Sequence, residues 1–112
     1  MALFFQVIDK EQSVLVRVNF DIVNDNMQTL QELFDQIMNQ NKSNVVIDFS
    51  EVNVIDSLGL GKLLKFYQKA KQKNINLIIF GLNNQIKYLF HITQLEAIFT
   101  LAETEEDALG KI

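Results

Sequence analysis

A hydroxyl and a carboxylate stand side by side at Asp56-Ser57, followed by Leu58-Gly59-Leu60-Gly61, where a β-branched run gives way to a helical pattern. At such a junction the oxygens of Ser and Asp accept hydrogen bonds from the free N–H groups of a helix's first turn, the ordinary N-cap role. An accessible serine hydroxyl can also carry a covalent modification that another protein reads. Each glycine within a helical turn costs about 0.5–1 kcal/mol relative to alanine, and capping requires neither of the two. Gly59 and Gly61 are therefore expected to leave the backbone bare around Ser57, so that a neighbouring chain or an enzyme can approach it closely.

Other chemistry has little support in the sequence. A serine nucleophile needs an activating base and an oxyanion site. Asp56 does not supply the base by default, because neighbouring residues at a strand-to-helix junction point in different directions. Ser57-Leu58-Gly59 also departs from the Gly-x-Ser-x-Gly elbow. The single histidine, His91, lies in the apolar pattern Leu89-Phe90-His91-Ile92 and is read as structural rather than as a general base. Gly59-Leu60-Gly61 is too short for a dinucleotide fingerprint, and no phosphate-binding Gly-x-x-x-x-Gly-Lys-Ser/Thr loop is present. Asp21, Asp25, Asp48 and Asp56 could gather carboxylates at one end of a sheet. A magnesium site would need them to converge in octahedral geometry, which linear spacing does not establish. No catalytic residue, metal or cofactor is assigned, and the chain is read as not an enzyme.

The elements that must position Ser57 follow from periodicity. Residues 3–8 and 14–18 read as strands around a turn at 9–12, close enough for a hairpin. Residues 27–39 read as a helix with Leu30, Leu33, Phe34 and Ile37 on one face, entered through Asn24-Asp25-Asn26. Val45-Val46-Ile47-Asp48-Phe49 is a buried-strand run, and residues 50–55 return the chain toward the same edge. Leu60, Leu63, Leu64, Tyr67 and Ala70 then recur at helical spacing, which places Ser57 at or just before a helix N-terminus. A strand at 76–80 ended by Gly81, a short helix carrying Ile86, Leu89 and Phe90, a strand near 98–101 and a helix from about 103 complete the pattern. A strand pair followed by alternating helices and strands predicts an α/β fold, a mixed sheet with helices packed on it.

Composition sets the outer bounds. The sequence has 112 residues, no proline and no glycine-rich linker, so residues 1–112 are read as a single compact domain, large enough to bury a core without disulfides or metal. Cysteine is absent, which removes thiol catalysis and cysteine-based metal sites and fits a reducing cytoplasm. The formal net charge of −4 argues against direct nucleic-acid binding. No apolar run approaches the ~20 residues that would span a bilayer, and residues 1–8 read as a first strand rather than a secretory leader. Membrane insertion and export are not expected.

Charge is unevenly placed. Lys62, Lys65, Lys69, Lys71 and Lys73 fall within one helix and read as a solvated face, with a docking stripe for an acidic partner as the alternative. Glu103, Glu105, Glu106 and Asp107 read as the acidic opening of the last helix.

Asp56-Ser57-Leu58-Gly59-Leu60-Gly61 resembles the Asp-Ser-Ser/Thr-Gly-Leu-Gly signature of the STAS domain, as found in bacterial anti-sigma factor antagonists, and the order of elements is similar over nearly the whole chain. The resemblance implies a STAS-like fold and a cytoplasmic regulator. Ser57 would be phosphorylated by an anti-sigma factor that is also a serine kinase, and a serine phosphatase would reverse the step. It also implies contact residues for that partner: Asp21, Asn24, Asp25, Asp56, Ser57, Leu58, Gly59 and Gly61. Binding of the anti-sigma factor by the unmodified form and release on phosphorylation would regulate transcription by a sigma factor. Two positions depart from the family pattern. Leu58 stands where a second hydroxyl is usual, and Val23 stands where the family often has an acid, with Asp21 or Asp25 as stand-ins. These favour an alternative, a constitutive adaptor subunit of a signalling or transport assembly in which Ser57 only caps a helix. A small-ligand sensor using the sheet edge is a further reading, and a homodimer through an exposed strand or helix face is compatible with the sequence.

Overall fold

In the computed structural model, residues 4–112 are described; residue 3, expected to open the first strand, lies outside that range. Five strands form one sheet in the order β1-β2-β3-β4-β5: β1 Phe5–Asp9, β2 Ser13–Val18, β3 Asn44–Asp48, β4 Asn76–Phe80 and β5 Thr100–Ala102. The β1/β2 hairpin is antiparallel, and every later pairing is parallel. Parallel neighbours need crossovers, which four helices supply or follow: α1 Met27–Asn39, α2 Ser57–Gln72, α3 Asn84–Ile92 and α4 Glu105–Leu109.

The central strands are buried on both faces, as parallel strands must be when helices cover them. Because side chains alternate along a strand, Val14, Val16, Val45, Ile47, Leu77 and Ile79 fall into one core. It includes Leu30, Leu33, Phe34 and Ile37 of α1, Leu63 and Phe66 of α2, and Ile86 and Phe90 of α3. Leu15, Val46, Ile78 and Phe80 point the other way and are covered by Ala108 of α4, with Ile8, Ala102 and Leu109 at the margin. The apolar face expected for α1 is the buried one. On α2 the periodic pattern also conceals Phe66, whose ring stacks on Phe34 with centroids 4.0 Å apart and planes 9° from parallel.

The C-terminal third departs from expectation in three places. The last strand is Thr100–Ala102 rather than 98–101, since Leu95–Ala97 forms a 3₁₀ turn and the Phe99 N–H still donates to the Leu95 carbonyl at 2.9 Å. Phe99 is an inward anchor, its ring 5.5 Å from that of Phe90 and 4.8 Å from that of Tyr67. Helix α4 starts at Glu105, because Thr104 is the residue whose Oγ1 accepts the Asp107 N–H at 3.1 Å. Glu103 lies outside the helix and pairs with Lys87. His91 is exposed and sits 2.6 Å from Glu96, while its neighbour Phe90 takes the core position one helical step away.

Helix α4 is pinned by more than Ala108. Arg17 of β2 donates to Glu105 at 2.9 Å and to Asp48 of β3 at 2.8 Å, so one guanidinium joins the short helix to two strands.

Leu63 is fully buried, and Leu63→Ala should lower unfolding stability by about 2–5 kcal/mol. The exposed substitution Lys73→Ala should change it by less than about 0.5 kcal/mol. Urea denaturation of both variants measures the contrast.

Candidate functional site

The loops leaving the C-terminal ends of β2, β3 and β4 meet at one end of the sheet, where ligands and partners of open parallel sheets commonly bind. Two of them are laced together by backbone bonds. The Ile22 N–H donates to the Val54 carbonyl at 3.0 Å, and the Asp56 N–H donates to the Ile22 carbonyl at 3.1 Å, an isolated parallel bridge between Ile22 and Ile55. Two carboxylates reinforce it from opposite sides. Asp21 Oδ1 accepts the N–H groups of Asn53 at 2.8 Å and Val54 at 3.2 Å, while Asp56 Oδ2 accepts the Asn24 N–H at 2.9 Å. From the β4 side, Asn83 Nδ2 donates to the Asn53 carbonyl at 3.1 Å.

Asp56, not Ser57, caps α2: its Oδ1 accepts the Gly59 N–H at 2.7 Å. The Gly59 N–H, followed by the Asn24 N–H, holds the Asp56 carboxyl below its ordinary pKa of 3.8, against a smaller opposing effect of desolvation. Ser57 is the first residue of α2 and is exposed. Its hydroxyl makes no hydrogen bond among the described residues, so capping leaves it unengaged.

The two glycines serve different ends. Gly59 is buried, and a Cβ there would lie 1.9 Å from the Ile22 carbonyl oxygen. The expectation that it bares the backbone for a partner is thus corrected: α2 needs Gly59 to sit against the β2–α1 loop. Gly61 faces open space, with nothing within 4 Å of a Cβ built on it.

Of the residues expected to form the site, Asn24, Ser57, Leu58 and Gly61 come together along one surface hollow of about 330 Å³, joined by Met27, Lys62 and Lys65. Asp21 and Asp56 lie beside it with carboxylates turned to backbone donors. Asp25 is exposed on the 3₁₀ turn Asn24–Asn26 and does not line the hollow. Leu58 and Val54 present 59% and 46% of their surface to solvent, an apolar display next to Ser57. Met27 escaped sequence reasoning; Lys62 and Lys65 were legible as positions four residues after Leu58 and Gly61, one turn along the same face. Asp48 stands apart, bonded to Arg17 and Ser50. The four aspartates therefore do not converge, and no cluster suited to a metal ion occurs among the described residues.

The STAS domain family matches residues 5–108. The chain belongs to that family. It is 34% identical over 64 residues to an anti-sigma-B factor antagonist of Listeria monocytogenes, an alignment covering 57% of this chain and 56% of that protein, so it spans about half the length of the curated relative. Its fold is similar to the crystal structure of an anti-sigma factor antagonist from Mycobacterium paratuberculosis, with a TM-score of 0.87 at 23% identity over 99% of this chain and 94% of the other. The Bacillus cell fate determinant SpoIIAA in its phosphorylated form superposes with a TM-score of 0.70 at 17% identity, over 96% and 98% of the two chains. These relatives carry the names of regulators rather than enzymes. Among the described residues of this STAS chain, no helix is long and apolar enough to cross a membrane.

Two substitutions separate the roles of the glycines. Gly59→Ala should cost about 3 kcal/mol or more by overpacking, whereas Gly61→Ala should leave stability unchanged or raise it by about 0.5–1 kcal/mol through helix propensity. Thermal or urea unfolding reads both, and equal effects would refute the assignment.

The Asp56 carboxyl should titrate below 3.8 in the folded protein when followed by carboxyl-carbon NMR. Because its folded pKa is depressed, its contribution to stability is complete above the unfolded value and is lost as pH falls through the folded one. Asp56→Asn should therefore remove part of the acid-side decline in stability; an unchanged acid limb would show that the cap carries no such linkage.

Proposed function

We propose that this STAS protein is a cytoplasmic anti-sigma factor antagonist that binds an anti-sigma factor with serine kinase activity while Ser57 is unmodified. Phosphorylation of Ser57 releases it, and a serine phosphatase restores the binding form. The observation that carries the reading is the position of Ser57: exposed, first in α2, its hydroxyl unengaged because Asp56 does the capping. Kinship to the Listeria antagonist supports the partner class, and the existence of a phosphorylated form of SpoIIAA supports the chemistry.

A phosphoryl group on Ser57 Oγ would add about −1.5 to −2 charge at neutral pH. A helix N-terminus tolerates an anion, so the domain stays folded. A partner packed over Leu58 and Ser57 would instead have to desolvate that charge next to the Asp56 carboxylate, which opposes binding. Asn24, Ser57, Leu58 and Gly61 form the contact centre, flanked by Asp25. Asp21 and Asp56 act beside it by holding the two loops in place.

One observation favours a second reading. Leu58 is 59% exposed where relatives commonly carry a second hydroxyl, giving an apolar contact that would work without modification. A constitutive adaptor subunit would use the same surface.

The two readings part on paired baits from native cell extract. Ser57→Ala should retain a kinase-like anti-sigma factor, and Ser57→Asp should bind it at least about tenfold more weakly, a loss of about 1.4 kcal/mol. Recovery of one assembly by both forms in fixed stoichiometry would move the assignment to the adaptor.

A further inference from the structure

A groove runs between α1 and α2, apolar on its floor and cationic along one rim. Phe34, Phe66 and Met38 form the floor, and Lys62, Lys65 and Lys69 form the rim, around a volume of about 210 Å³. Gln31 and Asp35 on the opposite rim bond to each other at 2.8 Å. Lys62 and Lys65 also line the hollow at Ser57, so the groove adjoins it.

Cations suit the last turn of a helix, where the backbone dipole is negative. That accounts for Lys69 and Lys71 but not for Lys62 and Lys65, which lie before the last turn, toward the middle of α2. Among the described residues, none of the three rim lysines pairs with a carboxylate. In a chain of net charge −4, they form a local field of opposite sign beside a narrow apolar floor of half-buried Met38 and the ring edges of Phe34 and Phe66, which are 6% and 4% exposed. Their spacing of three and four residues repeats once per helical turn. A helix laid along the groove can offer carboxylates at the same interval, whereas an extended strand, with its period of two, cannot keep step.

We propose that this groove is the second half of the docking surface and receives an acidic amphipathic helix of the protein that reads Ser57. The carboxylates of that helix meet Lys62, Lys65 and Lys69, and its apolar face packs on Met38 and on the ring edges of Phe34 and Phe66 that reach the groove floor. The helix-in-groove mode matches both the shape and the charge. The identity of the partner rests on the function proposed above; the groove's preference for an acidic helix does not. The hollow at Ser57 then decides whether the partner engages, and the groove determines which partner fits.

The test uses a designed 18-residue helical peptide with leucines on one face and flanking glutamates, titrated into the isotope-labelled full chain. The expected result is amide shifts at Phe34, Met38, Lys62 and Lys65. The dissociation constant should rise about five- to tenfold in Lys62→Gln/Lys65→Gln and with added salt, while Lys71→Gln/Lys73→Gln, the same loss of two charges at the C-terminal end of α2 but off the groove, should leave it unchanged. Absence of binding, equal binding of a lysine-flanked counterpart, shifts confined to other surfaces, or association with anionic phospholipid vesicles in place of the peptide would each overturn the proposal. The Ser57→Ala bait keeps the two questions apart. If it recovers a kinase-like protein equally well with Lys62→Gln/Lys65→Gln added, the groove is excluded while the switch stands. If it recovers none, the switch fails and the titration still decides the groove.

Discussion

The backbone of α2 approaches the Ile22 carbonyl so closely that residue 59 can carry no side chain, and the geometry around Ser57 depends on that approach. The same carbonyl accepts the Asp56 N–H, so one oxygen fixes the start of the helix while the bare Cα of Gly59 lets the first turn settle beside it. Asp56 then bonds both within its own turn and across to Asn24, and Asp21 returns the favour to Asn53 and Val54. Two loops far apart in sequence become one rigid edge. Rigidity has a functional meaning here, since a surface that a partner must recognise loses less entropy on binding when it is already ordered.

That edge inherits its placement from the sheet. Strands β2, β3 and β4 run parallel and in register, Val14 beside Val45 beside Leu77, so their C-terminal loops emerge at one end. The first core locks α1 and α2 against the sheet, which sets where the Ser57 hollow lies relative to the lysine rim. The second, smaller core beneath α4 and the Arg17 bridge hold the far face and contribute nothing to the hollow directly. Energetically the parts are unequal. Burial of the apolar strands and helices supplies most of the stability, while the polar lacing at the edge contributes little net energy per bond and chiefly selects one loop geometry.

Much of this architecture was legible in the sequence, because the central strands are nearly pure β-branched runs and α1 and α2 carry clear helical periodicity. The site was legible in part. Asp56-Ser57 marked the helix start, but residue type alone does not say which of two adjacent capping residues turns its side chain inward; that is decided by where the Asn24 N–H lies, a contact across 32 positions. The reason for Gly59 was hidden in the same way, since its neighbour is Ile22. Residues 98–101 misled because an apolar run can be a strand or a turn held by one buried aromatic, and Phe99 is the latter. His91 stands in an apolar run yet is exposed while Phe90 is buried, because adjacent residues on a helix point about 100° apart.

The division of labour between Asp56 and Ser57 explains how a charge could act at this edge without disturbing it. Were Ser57 the cap, a modification of its oxygen would alter the first turn of α2 and, through Gly59, the packing on Ile22. Because Asp56 holds the turn, Ser57 is free to change at little structural consequence. Around it the field is mixed: the helix N-terminus contributes a partial positive charge of about +0.5, Lys62 and Lys65 line the same hollow, and a carboxylate lies next door. In water these influences are weak, since two unit charges 4 Å apart interact by only about 1 kcal/mol at the bulk dielectric. A docked partner removes the water, and the same charges then interact several-fold more strongly. Under the proposed function, the isolated domain hardly registers the phosphoryl group, while the complex, in which the hollow has been dried, registers it in full.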